Sequence, residues 1–260
     1  MNRLTLIKYL NARLLKDMPQ LEVEDVSDDL TSQRKLLRAL MNVRPPMPLD
    51  KNLLHLQDEL LSAEVVERGI VKISDIPDVE PHIKIWRGDI TRLAVDAIVN
   101  AANETLLGCF VPLHGCIDNA IHSAAGLQLR DACQKIMEAQ GHDEPTGSAK
   151  ITPAFNLPSK FILHTVGPII PPERDPTPAE ENQLAACYES CLKLAAENNL
   201  QSVAFCCIST GEFHFPNRRA AQIAISTVKK FLAAHELEVV FNVFKELDEK
   251  IYREVLSKDD

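Results

Sequence analysis

Apolar positions recur at the three- and four-residue spacing of amphipathic helices over residues 4–15, 32–41 and 51–68, and Pro19, Pro45, Pro46 and Pro48 separate these runs. They predict a helical extension over residues 1–80, with the acidic stretch at 22–29 as a solvated linker. From residue 82 the period changes. Short runs at 82–86, 96–101, 148–155, 161–166, 203–208 and 238–244 read as strands and alternate with helical stretches. Ile121, Ala125, Leu129, Ala132 and Ile136 make one apolar helical face. Leu184, Cys187, Cys191 and Leu194 make a second, and Ala221, Ala224, Val228 and Phe231 a third. The alternation predicts an α/β domain over residues 81–260, a mostly parallel mixed sheet between helices. Ligands bind such sheets beyond the carboxyl ends of the strands, where loops lead into helix N-termini. Residues 100–122 and 209–216 occupy that position.

Composition narrows the function classes. The 260 residues are 45% hydrophobic, enough for a substantial core, and carry a formal charge of −9. An acidic balance argues against nucleic acid as a partner, since that binding relies on clustered Lys and Arg. A small anion would need local backbone donors instead. No apolar run has the length to cross a bilayer, and residues 1–5 lack the basic-then-apolar layout of a signal peptide, so a cytoplasmic location and no membrane partner are expected. Seven scattered cysteines, an odd number with Cys206 and Cys207 adjacent, point to free thiols or metal ligands rather than a disulfide framework.

The run Gly88-Asp89-Ile90-Thr91-Arg92-Leu93, followed by Asp96-Ala97-Ile98-Val99-Asn100-Ala101-Ala102-Asn103, resembles the opening of the macrodomain family. The likeness continues through Ile117-Asp118-Asn119-Ala120-Ile121-His122, then Leu163-His164-Thr165-Val166-Gly167-Pro168, Ile208-Ser209-Thr210-Gly211 and Asn242-Val243-Phe244. It spans roughly residues 82–260. The resemblance implies an ADP-ribose pocket. In it Asp89 accepts from the adenine amino group beside the backbone of Ile90, Asn103 holds the distal ribose, and Ile117 lines the site. Ser209, Thr210, Gly211, Glu212 and Phe213 wrap the pyrophosphate, and Phe244 lies near the adenine.

One segment departs from that pattern. Where ordinary macrodomains carry a glycine-rich loop, this chain has Cys109, His114 and Cys116 in a C-x4-H-x-C cluster. Two thiolates and an imidazole within eight residues suit one Zn²⁺ per chain and leave a fourth position open, unless Cys133, His122 or His214 closes it. The cluster resembles that of the zinc-containing macrodomains, bacterial proteins associated with a sirtuin and with lipoate-linked protein modification, which also carry an N-terminal helical extension. That subgroup implies removal of mono-ADP-ribose from an acidic side chain of a target protein, possessing a lipoyl-carrier protein as candidate partner and ADP-ribose as product.

In this scheme Asp118 is the expected general base or water-orienting group, and His122, at i+4 on the same helical face, orients Asp118 or the ligand. The bland alternative for His122 is a satisfied residue packed behind the loop. Three rival readings remain open: a non-catalytic ADP-ribose reader, an O-acetyl-ADP-ribose deacetylase, and a redox sensor that releases zinc on oxidation of Cys109 and Cys116.

Overall fold

The structure, a computed structural model, describes residues 1–257. Three helices open the chain, α1 (Arg3–Asp17), α2 (Leu30–Val43) and α3 (Lys51–Arg68). Each starts on a side chain that accepts the third helical N–H: Asn2 from Thr5, Asp29 from Ser32 and Asp50 from Leu53. There follow β1 (Val71–Lys72), β2 (Asp78–Glu80), β3 (Ile83–Arg87), β4 (Leu93–Ala94), β5 (Ala97–Ala102), α4 (Ile117–Ala125), α5 (Leu127–Gln140), β6 (Ala149–Pro153) and β7 (Phe161–Val166). The chain continues through α6 (Pro178–Glu197), β8 (Ser202–Phe205), α7 (Asn217–Leu232), β9 (Glu238–Val243) and α8 (Glu246–Leu256).

Among the described residues seven strands form one sheet in the order β2-β3-β9-β8-β5-β7-β6, and β1 pairs separately with β4. The inner pairs are parallel, while β2 and β6 run antiparallel at the edges. Strands β5, β7, β8 and β9 are buried almost throughout, which is why they read as near-continuous apolar runs. The expected mixed, mostly parallel sheet between helices is the one observed.

Two cores hold the molecule. The larger fills the space between sheet and helices. The smaller lies among α1, α2 and α3, where Ile7, Leu10, Leu14, Leu37, Leu40 and Leu60 are buried, and Leu127 of α5 enters it. Burying one such leucine contributes about 1.5–3 kcal/mol, so Leu127 couples the extension to the α/β domain. Gln57 of α3 adds to this by accepting the Leu127 N–H at 2.9 Å.

Three local differences from the expected pattern have physical causes. The apolar face of Ile121, Ala125, Leu129, Ala132 and Ile136 belongs to two helices, because Gly126 at φ 99° ends α4 and opens α5. Strand β8 leaves the ladder at Phe205, short of residue 208, and turns toward the site. Strands β1 and β2 lie ahead of the expected boundary at residue 80, and are too short for alternation to reveal them.

Candidate functional site

Two loops project beyond the carboxyl ends of β5 and β8. Four of the non-glycine residues with left-handed backbone lie in them: Leu106 and Leu113 in the first, Ser209 and His214 in the second. Such conformations cost about 1–3 kcal/mol each and persist where the surroundings over-determine them.

In the first loop, ligand atoms of Cys109, His114 and Cys116 all lie within 4.8 Å of one another. Cys109 Sγ is 3.6 Å from His114 Nδ1. A tetrahedral zinc with sulfur at 2.3 Å and nitrogen near 2.0 Å requires that separation to be about 3.6 Å, so the donor set fits zinc. Cys116 is also the N-cap of α4, its Sγ accepting from the Asn119 N–H at 3.4 Å. Burial, with Cys109 and Asp118 adding to it, pushes the Cys116 thiol up to about 12 against the lowering by the Asn119 N–H, so a bound cation would be needed to hold it as a thiolate. The other ring nitrogen of His114 lies 3.8 Å from Glu212 Oε1 in the second loop, too far for a hydrogen bond but near enough for charge to be felt. Of the fourth-ligand candidates, His122 and Cys133 belong instead to a separate, fully buried group with His164.

Asp118 stands in the first turn of α4 and is 5% exposed. Its Oδ1 accepts from Asn100 Nδ2 at 2.8 Å. Burial raises its pKa to about 6, opposed by the Asn100 hydrogen bond and by the charge on Arg130. The β5–β7 register sets Asn100 beside His164, and Asn100 Nδ2 is 3.2 Å from His164 Nδ1. With Asn100 donating at both contacts, His164 Nδ1 accepts and its Nε2–H serves Thr152 Oγ1 at 2.9 Å. Burial pushes His164 down to about 3, and lowers His122 well below its ordinary value, with His164 and Arg130 adding to the effect. Both imidazoles are therefore neutral at pH 7.

His122 lies directly under the first loop. A Cβ on Gly108 would come within 2.9 Å of its ring, and its Nε2 is 3.5 Å from Asp118 Oδ1. The geometry is that of a floor beneath loop and carboxylate.

The pocket residues implied by the resemblance divide into free and engaged groups. Among the described residues, the N–H groups of Gly211, Glu212 and Phe213 donate to no protein acceptor, whereas Thr210 turns its N–H and Oγ1 inward onto Cys207 O. Three successive unengaged donors on one turn are the kind of groups that can bind an anion. Ser209 Oγ is buried without a partner. Asn103 folds its own loop, accepting from Thr105 and donating to Gly108 O at 3.1 Å. Asp89 caps a 3₁₀ turn through Thr91 and takes Arg68 of α3 at 3.0 Å, so an adenine amino group would share this carboxylate. It opens on a cleft of about 690 Å³ between the extension and α4, lined also by Arg34, Arg38 and Leu113. Ile90 is buried, Ile117 half-buried at the head of α4, and Phe244 is 74% exposed. The Gly88 N–H donates to Val243 O, so Asp89 and Phe244 continue from adjacent strand ends.

Sequence reasoning assigned no role to Asn100, His164, Asn119 or Arg130. Asn100 and His164 stand inside the quoted motifs, but their partnership depends on strand register. Arg130, between buried Leu129 and Cys133, carried a signal: a cation on an apolar helical face. It donates to Leu107 O and Met41 O, its guanidinium covers the Phe110 ring at 4.3 Å, and although burial lowers its pKa to about 10 it stays charged at pH 7.

Comparison with known proteins supplies relatives for the whole chain. The family model described as "Macro domain" matches residues 99–224. A protein-ADP-ribose hydrolase of Treponema medium is 50% identical over 261 residues, covering 98% of each chain. One from Staphylococcus aureus strain MSSA476 is 47% identical over 232 residues, covering 86% of this chain and 85% of the relative. Among solved structures, an Oceanobacillus iheyensis macrodomain with ADP is 43% identical at TM-score 0.62, covering 68% of this chain and 90% of its own. A Trypanosoma brucei macrodomain in complex with ADP-ribose is 30% identical at TM-score 0.66, covering 84% and 94%. Given a relative half identical along its whole length and a site built at the expected strand ends, this chain belongs to the macrodomain family.

Proposed function

We propose that this protein is a zinc-dependent protein-ADP-ribose hydrolase that removes mono-ADP-ribose from an acidic side chain. The carrying observation is the convergence of Cys109, His114 and Cys116 in the loop immediately ahead of Asp118. The names of the relatives support the same activity.

Cys109, His114 and Cys116 would hold the ion, which when bound supplies Lewis-acid polarisation of a distal-ribose oxygen. The unengaged N–H groups at Gly211, Glu212 and Phe213 receive the pyrophosphate. Asp89 and Phe244 bracket the adenine from adjacent strand ends. Asp118 orients a water and accepts its proton as the water oxygen attacks, and the bond between ribose and the protein carboxylate breaks to leave a free carboxylate and ADP-ribose. Asn100 keeps Asp118 aimed, and His122 supports it from below. A lipoyl-carrier protein modified by a sirtuin is the proposed substrate protein. The cytoplasm is the proposed location, in keeping with seven cysteines and no disulfide among the described residues.

Metal analysis is expected to return zinc on the purified chain. Chelation is expected to abolish release of ADP-ribose from a mono-ADP-ribosylated protein while circular dichroism stays native. Undiminished release from the stripped, folded chain would overturn the role given to the metal. Binding of ADP-ribose without release would identify a reader, and turnover confined to the acetyl ester would identify a deacetylase.

A further inference from the structure

The metal-ligand loop has little to hold it from within. Over residues 107–116 its internal bonding is a His114 N–H to Val111 O contact at 3.3 Å and the Cys109 Sγ to His114 Nδ1 contact at 3.6 Å, and Asn103 ties its start through Gly108 O. Ordering a backbone costs about 1–2 kcal/mol per residue, so two such marginal contacts do not keep the loop in a single shape.

What holds it comes from outside, much of it from α2 of the helical extension. Arg38 Nη2 donates to His114 O at 3.1 Å. The same guanidinium donates to Asn119 Oδ1 at 2.8 Å through Nη2 and 3.3 Å through Nε. Asn119, fully buried, in turn donates from Nδ2 to Val111 O at 3.0 Å, and its backbone N–H meets Cys116 Sγ. One turn further along α2, Asn42 Oδ1 accepts the N–H of Leu113, whose φ of 57° needs such support. Asn42 Nδ2 reaches Ser123 Oγ on α4 at 2.9 Å. Arg130 closes the arrangement by bonding Leu107 O in the loop and Met41 O at the carboxyl end of α2, where helix carbonyls lack partners.

We propose that α2 clamps the metal-ligand loop and that Arg38 is a positioning residue for His114 and Cys116. The extension then completes the site: His114 is fixed at its own carbonyl by Arg38 and at the preceding N–H by Asn42, while Arg38 acts on Cys116 through Asn119. The metal part of this inference rests on the zinc reading above, whereas the clamp itself concerns the chain alone.

The test uses the full chain carrying Arg38→Met, which keeps the aliphatic stem and removes the donors. Hydrogen exchange of the amides at 109–116, followed in chelator-treated protein, is expected to quicken about tenfold, the equivalent of one lost hydrogen bond of about 1.4 kcal/mol. Zinc affinity by chelator competition is expected to fall about 10- to 100-fold. Arg38→Lys should recover part of both. Arg34→Met breaks a bidentate pair with Glu64 inside the extension without touching the loop, and should leave both readouts at wild type. Exchange and affinity within about twofold of wild type in a folded Arg38→Met chain, or equal effects from Arg34→Met, would overturn the clamp. Should the methionine variant fail to fold, Arg38→Gln, which keeps one donor group, carries the same comparison. A wild-type chain without zinc would remove the metal reading alone, because exchange is read on the metal-free protein.

Discussion

Asp118 shows how one carboxylate is prepared by its neighbours. Burial raises its pKa, and the Asn100 amide and Arg130 offset part of that rise. The proposed mechanism places the water's proton on this group, so Asp118→Asn is expected to slow ADP-ribose release about 10²- to 10⁴-fold. Calorimetry should find ADP-ribose affinity little changed; turnover near wild type would remove Asp118 from the reaction. Asp118 is legible in the sequence as the expected general base, within the run Ile117-Asp118-Asn119-Ala120-Ile121-His122. The contribution of Asn100 is not, because Asn100 and Asp118 meet only when β5 and α4 pack together. Cys116 is similar: its place in a metal-binding spacing could be read directly, but its second use as the cap of α4 needed the helix start to be known.

At the scale of elements, Gly126 redirects the chain. After the break at Gly126, α5 places Leu127 in the helical core and Arg130 at the end of α2. A side chain at Gly126 would adopt a left-handed backbone and meet Gln57 Nε2 at 2.6 Å and Gln128 Oε1 at 2.7 Å. Both amides are held in place, Gln57 donating to Gln128 Oε1 at 2.8 Å and Gln128 donating to Asp58, so the contacts add to the backbone strain. Gly126→Ala is expected to lose about 1–3 kcal/mol of stability, to be checked by urea denaturation. Periodicity hid this break because apolar residues continue in phase across it. The strand run ending at residue 208 misled for a related reason: Cys206 and Ile208 stay buried after the ladder has ended, and burial alone does not separate strand from loop.

For the whole molecule, the buried polar layer links stability to pH. His164 and His122 have folded pKa values below the unfolded value of about 6.5. Their contribution is complete above that value and is lost as pH falls below it, toward about 3 for His164, because the unfolded chain takes up the protons first. Asp118 works in the opposite sense, its folded pKa of about 6 lying above the unfolded value, so it favours the fold below about pH 4 and loses that effect as pH rises through 6. Two histidines outweigh one carboxylate. Stability is expected to drop between pH 6.5 and 5 with a slope of at most about 1.4 kcal/mol per pH unit for each net proton. Urea midpoints across this interval check the sign, and His164→Asn should flatten the slope.

The α/β class and the helical extension are legible along the chain because they rest on local period, the family because its motifs are contiguous, and the Cys109, His114 and Cys116 set because its donors are close in sequence. Which groups act together is set by packing. Arg38 lies 76 positions from His114 and Arg130 lies 89 from Met41, and no spacing rule joins such pairs. The helical extension, which read as an appendage with a period of its own, packs through Leu127 and α2 against the loop it supports. Long-range contacts of this kind depend on how helices and sheet pack, and that is set by the whole core rather than by any segment of it.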